Sequence, residues 1–185
     1  FKVEYLEIQE LFKSYIREEP FQNCTACGKK LLEPGVHYFV EKVFKAGEIE
    51  IEYAICVDCM QEMRSRMSEE SMAKAQEVMG SKFNPQLWNR FLFETEKPDI
   101  ERSIQRCMIS GKPLDKESEY QIHGHFEGDK LVYSIMPYAV SFDAVEEMQE
   151  VLSAKTKEEL DRFMKDNLGL PPEWREIFRK DLILI

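Results

Sequence analysis

The sequence predicts an α+β protein in which two β-hairpin-and-helix units are joined and flanked by α-helices. Three observations predict it. Two Cys-x-x-Cys pairs, Cys24 with Cys27 and Cys56 with Cys59, bracket a run of alternating apolar and polar residues. A later stretch that opens at Cys107 repeats the order of turn, hairpin and helix. Helical periodicity fills most of the chain between and around these two stretches.

Each element follows from local pattern. Residues 1–20 are expected as an N-terminal helix, because Val3, Leu6, Leu11, Phe12, Tyr15 and Ile16 fall largely on one helical face. Glu19-Pro20 ends it. Residues 21–80 form the first unit. A knuckle at 24–28 leads to a hairpin over 36–55, with 36–44 and 49–53 as strands and Lys45-Ala46-Gly47-Glu48 as the turn. The second cysteine pair runs into a helix with Met60, Met63 and Met67 at helical spacing. Ser68 caps a further helix that starts with Glu69 and Glu70 and closes at Gly80.

Residues 81–103 read as a helical connector broken at Pro98. Residues 104–153 then echo the first unit. Cys107-Met108-Ile109-Ser110-Gly111-Lys112-Pro113-Leu114 lies over Cys24-Thr25-Ala26-Cys27-Gly28-Lys29-Lys30-Leu31, and Tyr133-Ser134-Ile135-Met136 over Tyr53-Ala54-Ile55-Cys56. Strands at 119–126 and 130–135 flank Glu127-Gly128-Asp129. A helix with Phe142, Val145, Met148 and Leu152 on one side follows. In this register the four cysteine positions become Cys107, Ser110, Met136 and Ala139. One thiol remains, so the second unit is expected to keep the fold without metal. Residues 154–185 hold two C-terminal helices, the first with a capping box at Thr156 and Glu159 and a stop at Gly169. Pro171-Pro172 opens the second.

Four soft thiolates suit a tetrahedral Zn²⁺ ion at about 2.3 Å. Iron in a rubredoxin-like site usually takes two similar glycine-bearing knuckles. Here Gly28 follows the first pair, but Met60 follows the second. A redox dithiol needs one activated pair at a helix start. Two pairs separated by a hairpin are better explained by one shared ion.

A knuckle with glycine after its second cysteine, then a hairpin, then Cys-x-x-Cys opening a helix resembles the treble-clef zinc finger, over residues 21–67 with a degenerate echo at 104–153. The likeness to LIM-type and zinc-ribbon-like domains is generic. It implies a fold and a metal site rather than a biological role. On this basis Cys24, Cys27, Cys56 and Cys59 are the expected ligands of one structural zinc. Gly28 frees backbone N–H groups to turn towards sulfur, and the helix start at Cys59 favours thiolate charge. Four protein ligands leave no open position for water.

His37 is expected as a surface or partly buried strand residue. His123 and His125 share one strand face, and a second metal site with Cys107 is disfavoured because they lie far from the aligned ligand positions. No nucleophile elbow, phosphate loop or dinucleotide fingerprint is present.

The net charge is −10, and a zinc ion on four thiolates adds to the negative total. Nucleic acid is therefore an unfavoured partner. No apolar run approaches a membrane span. The chain opens on Phe1, and without a visible signal peptide it is expected in the cytoplasm. The expected function is a non-enzymatic, zinc-stabilised protein-binding or adaptor module that acts on another protein or on a second copy of itself. The competing expectations are an enzyme with its site in the cleft between the two units, and a nucleic-acid-binding zinc finger.

Overall fold

The computed structural model describes residues 1–169. Strand β1 (Glu4–Glu7) is followed by a 3₁₀ turn at Glu10–Phe12. Strands β2 (His37–Lys45) and β3 (Glu48–Cys56) form the long hairpin. Ala46 and Gly47 have φ of 50° and 80° at its tip, the left-handed conformation that matches the twist of paired strands. Helices α1 (Val57–Ser65), α2 (Glu69–Lys82), α3 (Pro85–Leu92) and α4 (Ile100–Ile104) follow. Strands β4 (Tyr120–Glu127), β5 (Lys130–Tyr133) and β6 (Tyr138–Ser141) lead into helices α5 (Phe142–Glu150) and α6 (Ala154–Leu168). Side-chain caps fix several helix starts: Ser68 accepts from the Ser71 N–H, Asn84 from those of Gln86 and Leu87, and Asp99 from that of Arg102.

All six strands join one antiparallel sheet in the order β1-β5-β4-β2-β3, with β6 also on β4. Its centre is the β2–β4 seam, which runs from His37 opposite Glu127 to Phe44 opposite Tyr120. The other edge of β4 is shared, with β5 on Phe126 and Glu127 and β6 on Tyr120, Gln121, Ile122 and His123. One face of the seam packs Tyr38 on Phe126, ring centroids 5.2 Å apart, and Phe12 edge-on to Phe126 at 5.4 Å. A second cluster joins Tyr138, Val140, Ala144, Val145 and Met148 to Val78, Met79 and Trp88 of the connecting helices. Each fully buried large apolar side chain stabilises the fold by roughly 1.5–3 kcal/mol.

The expected N-terminal helix over 2–18 is a strand and a 3₁₀ turn instead. Glu4-Tyr5-Leu6-Glu7 alternates in burial as a strand does, and the free edge of β5 supplies hydrogen-bond partners that an isolated helix would not need. Tyr15 and Ile16, placed on the buried helical face by the sequence, are 72% and 86% exposed. Residues 13–15 are instead tied down by polar groups. Buried Lys42 Nζ stands 3.0 Å from Glu52 Oε2 and donates to the Lys13 carbonyl, while Glu52 accepts from the Tyr15 N–H at 2.9 Å and the Ser14 hydroxyl at 3.1 Å.

Smaller corrections follow the same logic. Helix α2 runs through Gly80 to Lys82. The cap of α6 is Ser153, whose side chain accepts from the Thr156 N–H. Thr156 Oγ1 accepts instead from the Ser68 N–H at 3.0 Å and so joins α6 to the start of α2. Gly169, with φ of 59°, ends α6 as expected. The helix expected after Pro171-Pro172, and the apolar end of the chain, lie outside the described residues.

Candidate metal centre

The first knuckle is built by backbone bonds. Cys24 N–H donates to the Lys29 carbonyl and Gly28 N–H to the Cys24 carbonyl, both at 2.8 Å. Gly28 sits at φ 77°, a conformation that costs a residue with a Cβ. Thr25 N–H donates to the Ala54 carbonyl at 2.8 Å and binds the knuckle to the end of β3. There β3 hands over to α1, with Cys56 as the N-cap residue and Cys59 in the first helical turn. Lys29 pairs with Asp58 at 2.9 Å across the two knuckles.

These elements bring Cys24, Cys27, Cys56 and Cys59 together, with one sulfur from each lying within 4.8 Å of all the others. Cys27 Sγ and Cys56 Sγ are 3.7 Å apart. The edge of a tetrahedron with 2.3 Å zinc–sulfur bonds is about 3.8 Å. Three of the thiols are buried and Cys27 is exposed. Burial raises Cys56 and Cys59 above the ordinary thiol range. Burial also opposes ionisation of Cys24, but the N–H groups of Cys56, Cys27 and Ala26 outweigh it and hold that thiol low. A dication among these sulfurs would draw all four into the thiolate form. The donor set fits one metal ion, and four sulfurs at this spacing suit zinc.

The bonds around Cys107 follow the same scheme. Cys107 N–H donates to the Lys112 carbonyl, Gly111 N–H to the Cys107 carbonyl and Met108 N–H to the Ala139 carbonyl, each at 2.8 Å. Gly111 has φ of 71°, and Lys112 pairs with Asp143 at 3.0 Å. Ser110 stands beside the Cys107 sulfur as the sequence register had it, and Ser141 joins it where that register had Met136, while Ala139 pairs with Cys107 through the backbone. Burial works against ionisation of this thiol, but the hydroxyls and N–H groups of the two serines outweigh it and hold it below its ordinary value. Among the described residues the only group of three or more metal-capable side chains is the four-cysteine cluster, so Cys107, His123 and His125 do not form a site.

The histidines stand elsewhere, along the β2–β4 seam. His37 Nδ1 is 3.0 Å from His125 Nε2. His123 Nδ1 is 3.6 Å from Glu41 Oε2, and its ring lies against Tyr138. Tyr53 donates to Glu41 at 2.6 Å. Glu41 and His123 are 5% and 7% exposed. Burial pushes Glu41 up to about 8 and His123 down to about 3. It also lowers His125 to about 4, with help from His37. Sequence reasoning missed Glu41, Tyr53 and Tyr138, because only the strand register brings them together. The adjacent alternation of polar and aromatic residues was the one available signal.

No helix among the described residues is long and apolar enough to cross a membrane. No protein-family model, no curated protein and no solved structure matches the chain.

Proposed function

We propose that this chain is a zinc-stabilised, non-enzymatic protein-binding module built from two copies of one treble-clef-like unit, of which only the first holds metal. The four-thiol cluster carries the reading. Its sulfur spacing suits a tetrahedral ion, and four protein ligands leave no position for substrate or water. One structural zinc, held by Cys24, Cys27, Cys56 and Cys59, then ties the knuckle, the β2–β3 hairpin and α1 together.

The duplication rests on matched bonds around Cys24 and Cys107 and on matched residues. Tyr53-Ala54-Ile55-Cys56 corresponds to Tyr138-Ala139-Val140-Ser141, and Cys59 to Ala144. The second set of ligand positions is therefore Cys107, Ser110, Ser141 and Ala144. With Tyr38 laid over Tyr120, Val40 over Ile122 and Phe44 over Phe126, the counterpart of Glu41 is His123. These two face each other across the seam. A residue that faces its own counterpart marks a two-fold axis.

Acidic charge argues against a nucleic-acid partner. Tyr5 on the edge strand, with Tyr15 and Ile16 beyond it, offers exposed apolar surface to a protein. The enzyme reading draws on the shifted Glu41 and His123 at the junction of the two units, yet both are sealed within the sheet. Elemental analysis of protein purified without added metal tests the first claim, with one zinc per chain expected. A Tyr15→Ser, Ile16→Ser variant should retain its zinc and lose partner capture. Metal-free protein of full stability, tight nucleic-acid binding at physiological salt, or substrate turnover would each defeat the reading.

A further inference from the structure

We propose that His37 Nδ1 and His125 Nε2 form a second, exchangeable site for a borderline divalent transition metal, separate from the four thiols. Two nitrogens bound at about 2.0–2.1 Å to one ion stand about 2.9–3.4 Å apart, for bond angles between square and tetrahedral. The two histidine nitrogens are 3.0 Å apart. The pair is a cross-strand diagonal: His37 faces Glu127 and His125 faces Phe39, two positions apart in the seam and so on one face of the sheet. Both strands lie in the middle of the sheet, so the backbone holds the separation.

Each ring is also oriented. Phe39 stacks on His125, with centroids 5.1 Å apart and planes 26° apart. Glu127 Oε2 stands 3.7 Å from His37 Nε2, the nitrogen that faces away from His125. A carboxylate beyond the far nitrogen of a histidine fixes its tautomer and raises its basicity as a ligand. Proton placement follows. Glu127 favours the proton on His37 Nε2, which leaves His37 Nδ1 as an acceptor. Without metal, His125 Nε2–H donates to it. An ion replaces that hydrogen bond when the His125 proton moves to its own Nδ1, and both rings stay neutral with no net proton released. His37 has 42% of its side chain exposed, so an ion and its remaining water ligands can enter. Two imidazoles with water select zinc, nickel, copper or cobalt over magnesium or calcium. Open positions distinguish this site from the closed cluster.

The test titrates tag-free, zinc-loaded, full-length protein with Ni²⁺ by calorimetry while zinc release is monitored. One Ni²⁺ should bind per chain with the structural zinc retained. His37→Gln and His125→Gln should each abolish that binding, and Glu127→Gln should weaken it about tenfold. If His125→Gln fails to fold, the partly exposed His37 position decides. No Ni²⁺ uptake by the wild type, uptake that only displaces zinc, or uptake unchanged by loss of His37 would overturn the proposal.

Discussion

At the scale of single residues, two positions in the seam carry sharp consequences. Gly124 lies opposite Val40, and a Cβ there would stand 2.7 Å from Phe126 Cε2 and 2.8 Å from Phe12 Cε1. Both rings are buried and cannot retreat without moving the core. Gly124→Ala should destabilise the fold by about 1–3 kcal/mol in urea denaturation. A neutral result would mean the two rings repack freely. Glu41 gives a pH signature. The unfolded chain releases this proton near its ordinary value of 4.5, while the native protein keeps it up to about 8. The folded state therefore binds more protons across that window, and stability falls as pH rises through it. His123 acts in the opposite direction, because the unfolded chain gains a proton below 6.5 that the native ring refuses down to about 3. Thermal denaturation of Glu41→Gln and wild type should show the variant gaining steadily between about pH 5 and about pH 8. A pH-independent difference would mean that native Glu41 is ionised like a surface carboxylate.

At the scale of elements, the weak point is the segment before the first knuckle. β1 and the Lys42–Glu52 pair hold it to the sheet by polar bonds. Lys42→Ala would leave Glu52 with an uncompensated charge and should cost about 3–5 kcal/mol, read by chemical denaturation. A Lys42→Met, Glu52→Leu double variant should recover much of that loss. This segment was also the least legible in the sequence. Leu6, Leu11 and Phe12 are buried to some degree in either conformation, and what selects the strand is the edge of β5, which arrives late in the chain. By contrast the β2–β3 hairpin, Ser68 and the α1–α2 pair were legible because alternation and capping are local. Ser153 and Thr156 can both cap a helix, and only the backbone path separates them.

At the scale of the whole molecule, the thiol cluster was legible because its ligands come in pairs of fixed spacing. The His37–His125 contact was not, since it depends on the register of strands 88 residues apart in sequence. The knuckle at Cys107 was legible in the sequence, and the proposed duplication shifts the alignment of its return strand from Met136 to Ser141. On that proposal two short strands, β5 and β6, stand where the first unit has the continuous β3, and the chain between them absorbs the difference. The proposed duplication predicts a gain of function. Ser110→Cys, Ser141→Cys, Ala144→Cys should complete a second tetrathiolate with Cys107. Cobalt substitution should then double the sulfur-to-metal charge-transfer absorption. An unchanged spectrum would mean the two knuckles are not equivalent. Cys59→Ser should do the reverse and lower the thermal midpoint sharply, since structural zinc contributes on the order of 10 kcal/mol in small finger peptides.

The central seam also has a kinetic meaning. Each hairpin closes over a short loop, whereas pairing β2 with β4 requires two distant parts of the chain to meet. Loop closure of that length is slow, and contact order sets folding speed. The hairpin that carries the four-thiol cluster can therefore assemble on its own timescale, during synthesis, while its sheet edge waits for β4. Until then that edge is an open template for a neighbouring chain, and β4 of another molecule, its native partner strand, is the best-matched strand available to it. Domain swapping between copies is thus the misfolding route this topology favours, and it would be most frequent where chains are made close together.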